Sequence, residues 1–461
     1  MKICLVTAFP PSGRQLNEYA FHIASELRLN PMINLTILAD QLAEYGFATD
    51  ADGKPLKADR VAELSQFEVV RCWQFNSLSA PLSLLSSIRR IQPDVVWFNL
   101  VFSTFATQDH PLAAFAGLCT PALSRALGFY THITLHHIIE HVDFGSAGVS
   151  QERLFRLGST LATRALLAAN SVSVLLSGYR DTLKQKYAAD NVLLGTHGIF
   201  ASCPTPPDFS RRGNPDHRIL AIGHWGTYKR LETLMAAFPA ILKAVPNARL
   251  VIAGANHHTK AGYWESVREA HASIPNIEFR GYVPEEDIPE LFRTSSIVVM
   301  PYDSATGSSG PAHQACEFGI PIVSADLPDF RSMAKEEDMA ISFHRIGDAA
   351  DLAEKIIYVL QSPREQRRMA EQNFSAAVRM TMPNVIRHYL RWFELEQCRR
   401  NLGSLEPKLF SRWQAWSWRP QRFRVPRDSP SLWQLHQQAY QEGEVSGGRG
   451  QAGLDSPNLS L

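Results

Sequence analysis

Residues 297–325 read IVVMPYDSATGSSGPAHQACEFGIPIVSA. The opening run, Ile297–Met300, is apolar without period-two polarity, as in a strand buried on both faces. In the loop that follows, Gly307 and Gly310 permit tight backbone approach. Pro311 suits the first position of a helix and Gly319 its C-terminal stop. After Pro321 a second apolar run begins, Ile322–Ala325. The stretch therefore predicts strand, turn, helix and strand. Its helix is about two turns long and starts from a Gly/Ser loop with free N–H groups, a ready site for a diphosphate. Gln314 and Glu317, three apart on one helix face, are placed to meet ribose or sugar hydroxyls.

The same grammar extends in both directions. Short apolar runs occur at Ile3–Phe9, Leu35–Ala39, Val95–Leu100, Ile133–His136 and Val172–Leu176. Others lie at Leu220–Gly223, Leu250–Gly254 and Ile277–Phe279, and amphipathic stretches such as Glu18–Leu29, Arg230–Val245 and Tyr263–Ala272 lie between runs. This alternation predicts an α/β fold with doubly wound parallel sheets. The strands are too many for one comfortable open sheet. A Pro- and charge-rich stretch, Cys203–His217, marks a break. Two Rossmann-like domains facing across a cleft are expected, at 1–200 and 201–380.

Composition narrows the class. Among 461 residues, 46 Lys plus Arg face 45 Asp plus Glu, so no global field steers the chain to nucleic acid. Its six cysteines are dispersed without a Cys-x-x-Cys pair, which predicts reduced thiols rather than a disulfide framework or zinc knuckle. No segment offers about 18 uninterrupted apolar residues; the longest candidate, 111–130, is broken by Pro121 and Arg125. A cytoplasmic location is expected, at most peripheral on the inner face of a membrane. From about residue 403 the chain interleaves Arg412, Arg419 and Arg422 with Trp413, Trp416 and Trp418. That composition fits either an extension packed on the body or an interfacial anchor. Beyond Tyr440, Gly, Ser, Gln and Pro dominate and disorder is expected.

In open α/β sheets, ligands bind outside the carboxyl ends of the strands. A second turn of interest, Gly223-His-Trp-Gly-Thr-Tyr-Lys-Arg230, follows the run Leu220–Gly223. Its Lys229 is a point charge able to neutralise a departing diphosphate.

These two turns make residues 220–330 resemble the donor-binding half of glycosyltransferase family 4, the group 1 transferases. Lys229 matches the family's phosphate-binding lysine, while the arginine position is His224. The Glu-Ala-x-x-x-Gly-x-Pro run corresponds to Gln314-Ala-Cys-Glu-Phe-Gly319-Ile-Pro321. The two family glutamates fall on Thr306 and Gln314, neutral groups still able to hydrogen-bond hydroxyls. Gly307, Ser308, Ser309 and Gly310 form the phosphate loop. In the first half, Pro10-Pro11-Ser12-Gly13 resembles the family's glycine loop. His136 matches a histidine that faces the donor sugar, with His137 in place of an aspartate. His197-Gly198 resembles a turn near the domain junction. The resemblance also implies a final helix, about 382–395, that returns to the first domain.

Two other motifs carry less. His137-Ile-Ile-Glu140-His141 fits a metalloprotease pattern, but that chemistry needs a helix and these residues follow a strand. Asp50-Ala-Asp52 sits in a polar loop and reads as solvated. No metal or other cofactor is expected.

The resemblance implies a GT-B transferase that moves a sugar, with retention, from a UDP-, GDP- or ADP-sugar to a saccharide or lipid-linked acceptor. Lys229 and His136 would be the catalytic residues. The substitutions at Thr306 and Gln314 leave open a non-catalytic nucleotide-sugar-binding subunit. A GT-B epimerase or phosphorylase shares the same architecture.

Overall fold

The computed structural model describes residues 1–42, 55–141, 152–209, 217–257, 260–304 and 307–414. Asp50 and Asp52, Thr306, most of the charged break at 210–216 and the Trp/Arg segment after Gln414 lie outside the described residues.

Strands β1 (Lys2–Val6), β2 (Asn34–Asp40), β3 (Val69–Trp73), β4 (Val95–Leu100), β5 (Tyr130–Leu135), β6 (Ser171–Val174) and β7 (Val192–Leu194) form one parallel sheet, ordered β3-β2-β1-β4-β5-β6-β7. Strands β8 (Arg218–Ile222), β9 (Arg249–Ala253), β10 (Ile277–Gly281), β11 (Ile297–Met300), β12 (Ile322–Ala325) and β13 (Ile341–His344) form the second, ordered β10-β9-β8-β11-β12-β13. The fold is the expected pair of doubly wound sheets. In each, strand order reverses beside the first strand, between β1 and β4 and between β8 and β11. That reversal opens a crevice at the carboxyl ends.

The helices of the first half are α1 (Asn17–Arg28), α2 (Ala58–Leu64), α3 (Ala80–Ile91), α4 (Pro111–Ala126), α5 (Glu152–Leu167) and α6 (Ser177–Tyr187). Those of the second are α7 (Glu232–Ala244), α8 (Tyr263–Ala270), α9 (Ile288–Arg293), α10 (Gly310–Glu317), α11 (Pro328–Glu336), α12 (Ala349–Gln361) and α13 (Pro363–Arg379), followed by α14 (Met382–Gln414). Both sheets belong to one compact unit, Met1–Glu394, and Leu395–Leu461 form a second. No helix among the described residues is long and apolar enough to cross a membrane.

Several apolar runs stop being strand before their apolarity ends. β1 closes at Val6, yet Phe9 is fully buried and packs on Phe21 and Phe67. Apolarity reports burial, and a turn that folds back over its sheet is buried without joining the ladder.

The start of α14 closes the first sheet. Met382, Val385, Ile386, Tyr389 and Phe393 share one buried cluster with Ile3, Leu5 and Trp97. The Tyr389 ring lies 4.7 Å from Trp97, and the Trp392 indole N–H donates to Tyr130 Oη at 2.9 Å. Tyr130 Oη also lies 2.8 Å from Ser171 Oγ. Tyr130→Phe should therefore cost about 1–3 kcal/mol, because it leaves two polar partners without their oxygen. Urea denaturation measures this.

Candidate active site

The turns after β1, β8 and β11 and the end of β5 hold the residues singled out from sequence. After β8, the chain turns over Gly223. Trp225 plugs the turn, fully buried, with its indole N–H donating to the Ala253 carbonyl at 2.9 Å. Gly226, at φ 111°, closes the turn by donating to the Lys229 carbonyl at 3.0 Å. The Lys229 side chain then folds back across Gly223. A Cβ on Gly223 would lie 3.4 Å from Lys229 Cδ and 3.8 Å from its Nζ. The ammonium sits 5.0 Å from the Tyr302 ring centroid, so it spans the crevice between β8 and β11. Burial opposes its charge, but the Tyr302 and Tyr228 oxygens outweigh this and hold its pKa above the usual lysine value. His224 is exposed. Arg230 does not stand in for the missing arginine, because Glu232 takes it at 3.0 Å and Asp303 lies 3.8 Å away.

After β11, Gly307 has φ 93°. Its N–H donates to Asp329 Oδ2 at 3.0 Å, and the Tyr179 hydroxyl donates to the same oxygen at 2.6 Å. Asp329 thus ties the second-half loop to α6 of the first half. A Cβ on Gly307 would lie 2.5 Å from the His136 carbonyl oxygen. The loop and the end of β5 touch backbone to backbone. Ser308 is half-buried, its hydroxyl facing Met333 Sδ at 3.8 Å. Ser309 caps α10, accepting from the Ala312 N–H at 3.4 Å and donating to Met300 Sδ at 3.2 Å. Its hydroxyl serves the helix start, and the loop is left to offer a ligand its amides. Gly310 opens α10 with nothing within 4 Å of its Cβ position.

Gln314 is half-buried on α10. Glu317, on the same face, has a partner within the fold. Its Oε2 accepts from the Ala201 N–H at 3.4 Å, in the segment crossing between the sheets. Burial raises its carboxyl pKa, against the pull of the Ala201 and Phe200 amides. The Ala201 bond ties α10 to the crossing.

In the first half, His136 follows β5 and is 7% exposed. Its Nε2 lies 2.7 Å from Asn99 Oδ1, and the Asn99 amide donates to Thr7 Oγ1 at 3.2 Å. That chain makes Nε2 the protonated nitrogen and leaves Nδ1 an acceptor. Burial, then the neighbouring His137, push its pKa down to about 3, so the ring is neutral. Gly13, at φ 65°, lies in a loop pinned from below. The Phe9 N–H donates to the fully buried Asp40 at 3.2 Å, Arg14 pairs with Asp40 at 3.2 Å, and Arg71 donates to the Pro10 carbonyl at 2.5 Å.

A buried ring cluster joins these parts and was not visible in the sequence. Tyr19 packs edge-on to His136 at 4.7 Å and lies 4.8 Å from His197. The His197 ring lies 4.5 Å from His313 on α10. His313 Nδ1 lies 2.7 Å from the Ser309 carbonyl, and its Nε2 lies 2.8 Å from a Glu337 carboxylate oxygen, off the line of an ideal hydrogen bond. Both ring nitrogens face acceptors, which calls for the imidazolium. Burial alone would lower the His313 pKa; the Glu337 carboxylate overturns this and raises it. The His197 pKa is driven well below the usual value by burial and then by His313.

Glu140 contacts Tyr187 and Lys186, and Ile139–His141 form one 3-10 turn. The metalloprotease arrangement, two histidines on one α-helical face, is not formed. Among the described residues no group of three or more His, Cys, Asp or Glu is placed to hold a metal.

Comparison with known proteins agrees with this geometry. Residues 216–362 match the family model described as glycosyl transferases group 1. No curated protein matches the chain. Among solved structures, Anabaena HepE in complex with UDP-glucose is similar at TM-score 0.61 and 14% identity, covering 86% of this chain and 99% of that one. Sucrose-phosphate synthase from Thermosynechococcus elongatus is similar at TM-score 0.63 and 13% identity, covering 88% and 99%. A glycosyltransferase from Rickettsia africae is similar at TM-score 0.56 and 12% identity, covering 85% and 97%. Identities this low speak for the fold, and the family model speaks for the second half. Residues 216–362 form a group 1 glycosyltransferase domain on a GT-B fold, and the chain is a glycosyltransferase.

Proposed function

We propose that the chain is a retaining transferase of the family 4 kind. It moves a sugar from a nucleoside-diphosphate sugar onto a saccharide or lipid-linked hydroxyl, in surface polysaccharide or glycolipid assembly. The observation that carries this reading is the convergence of three groups. Lys229 lies over the crevice between β8 and β11, the Gly307 loop leads into the start of α10, and that loop touches the carbonyl of His136. Cation and helix N-terminus suit a diphosphate. The neutral His136 ring beside them suits an uncharged sugar.

As the anomeric C–O bond breaks, the sugar gains positive charge and the leaving phosphate gains negative charge. Lys229 and the N–H groups from Ser308 to Gly310 stabilise that phosphate, while the Gly307 N–H is held by Asp329. His136 orients the sugar through Nδ1. The acceptor oxygen enters from the first domain and its proton passes to the departing phosphate. The reading requires no metal, because fixed protein charge meets the phosphate. The site residues named from sequence, Gly13, Gly223, His224, Thr306 and Gln314 among them, contact the donor in this scheme. A uridine donor is the first to test, since HepE is seen with UDP-glucose.

The test is a thermal-shift panel of UDP-, GDP- and ADP-sugars without added metal. A donor at a hundred times its Kd stabilises the wild type by about 2.7 kcal/mol. Lys229→Ala should abolish the shift. No shift of the wild type by any nucleotide sugar would sink the proposal.

A further inference from the structure

Helix α4 packs against both α3 and α5 on the outside of the first sheet. Its composition is inverted. The residues it buries include Gly117, Thr120, Pro121 and Ser124. The residues it turns outward are apolar: Leu112 is 72% exposed, Phe115 38%, Leu123 44% and Leu127 38%. With half-buried Cys119 between them, these positions step by three or four and form one stripe. Leu82 on α3 is 73% exposed, and Leu157 and Leu161 on α5 are 60% and 46% exposed, so the neighbouring helices extend the stripe. Single exposed leucines are ordinary, but a contiguous apolar face marks a binding surface.

The charge on the helices around the stripe is mainly of one sign. Helices α3, α4 and α5 contain Arg89, Arg90, Arg125, Arg153, Arg156 and Arg164 against a single acid, Glu152 at the start of α5. The whole chain, by contrast, is nearly balanced at 46 basic to 45 acidic residues. We infer that this face docks on an anionic lipid bilayer, with the α4 stripe at the headgroup–acyl boundary and the arginines at the lipid phosphates. The charge complementarity selects this occupant. A second copy in a two-fold contact would set the same arginines against each other, with only Glu152 on these helices to pair them.

The face also has a direction. α4 starts from the loop that leaves the carboxyl end of β4, so Leu112 and Phe115 lie toward the sheet edge that carries the site. A docked enzyme holds the acceptor side of that edge close to the lipid surface. The inference stands on exposure and charge and does not rest on the proposed reaction.

The test is co-flotation of the full chain with phosphatidylcholine vesicles, with and without phosphatidylglycerol. Binding is expected only with the anionic lipid, and it should weaken with salt. The variant Leu112→Asp/Leu123→Asp should bind at least about tenfold more weakly with an unchanged melting temperature, since both side chains are exposed. Trp413→Ala/Trp416→Ala/Trp418→Ala should still float. Binding lost in the tryptophan variant but kept in the leucine variant would overturn the inference and place the contact in the tail. A wild-type dimer that the leucine variant converts to monomer would overturn it in favour of a second copy. Absence of flotation at low salt would overturn it in favour of a protein partner.

Discussion

Gly307→Ala should lower turnover by about a hundredfold or more, because a displacement near 1 Å at a catalytic constellation costs that much. The fold should survive. The new methyl would lie 2.5 Å from the His136 carbonyl oxygen, at a residue whose φ is 93°. Backbone cannot yield as a flexible side chain can, so the loop must withdraw from the end of β5. Its amide then leaves Asp329, and the start of α10 shifts relative to Lys229 and His136. The left-handed strain itself is about 1–2 kcal/mol, a few degrees of melting temperature in a chain of this size. Gly310→Ala is the control for stability, since its methyl meets nothing within 4 Å. Steady-state kinetics on the two variants decides. Wild-type turnover in Gly307→Ala would remove the loop's approach to His136 from the catalytic arrangement.

Glu337→Gln should destabilise the fold by about 3–5 kcal/mol below pH 6.5, the cost of leaving a buried imidazolium without its counter-ion. The side chains of His313 and Glu337 are 2% and 9% exposed. The His313 pKa is raised above its ordinary 6.5 in the folded chain. A base with a raised folded pKa adds stability that is complete below its unfolded pKa and lost as pH rises through the folded value. The gap between wild type and Glu337→Gln should therefore be widest in mildly acidic buffer and narrow as the pH climbs. Urea titrations at several pH values measure it. A pH-independent gap would mean that packing, not charge, is what Glu337 supplies. Replacing both partners with apolar residues, His313→Leu/Glu337→Met, should recover much of the loss.

The centre of each sheet was legible in the sequence, and of the four edge strands only β10 was, as the run Ile277–Phe279. β1, β2, β4, β5 and β6 announced themselves as Val/Ile runs, as did β8, β9, β11 and β12. The strands missed, β3, β7 and β13, each end a sheet. A strand with one neighbour needs less apolarity. β3 includes Arg71 and is buried fully only at Trp73, β13 only at His344, and β7 has three residues. In the site, Gly307 and Lys229 were legible because a glycine turn and a lone cation after a strand have few structural uses. Asp329 and Tyr179 were not, although each begins a helix after a strand, β12 and β6 respectively. That position was the available signal. His313 was hidden between Ala312 and Gln314 in a helix that read as phosphate loop and core. Nothing local to it reveals that Glu337 and His197 meet it across the fold.

The return of α14 onto the first sheet sets an order of events during synthesis. The Trp97, Tyr130 and His132 rings are covered by Tyr389 and Phe393, yet the last strand of that sheet ends at Leu194. At translation rates of about 5–20 residues per second, that aromatic face waits roughly ten to forty seconds for its cover. During this interval the second sheet can complete itself, since β8 to β13 and their helices are contiguous in the chain. The first half to be made is therefore the last to be finished. A chain released before Met382 carries an uncovered aromatic surface that chaperones and proteases can read.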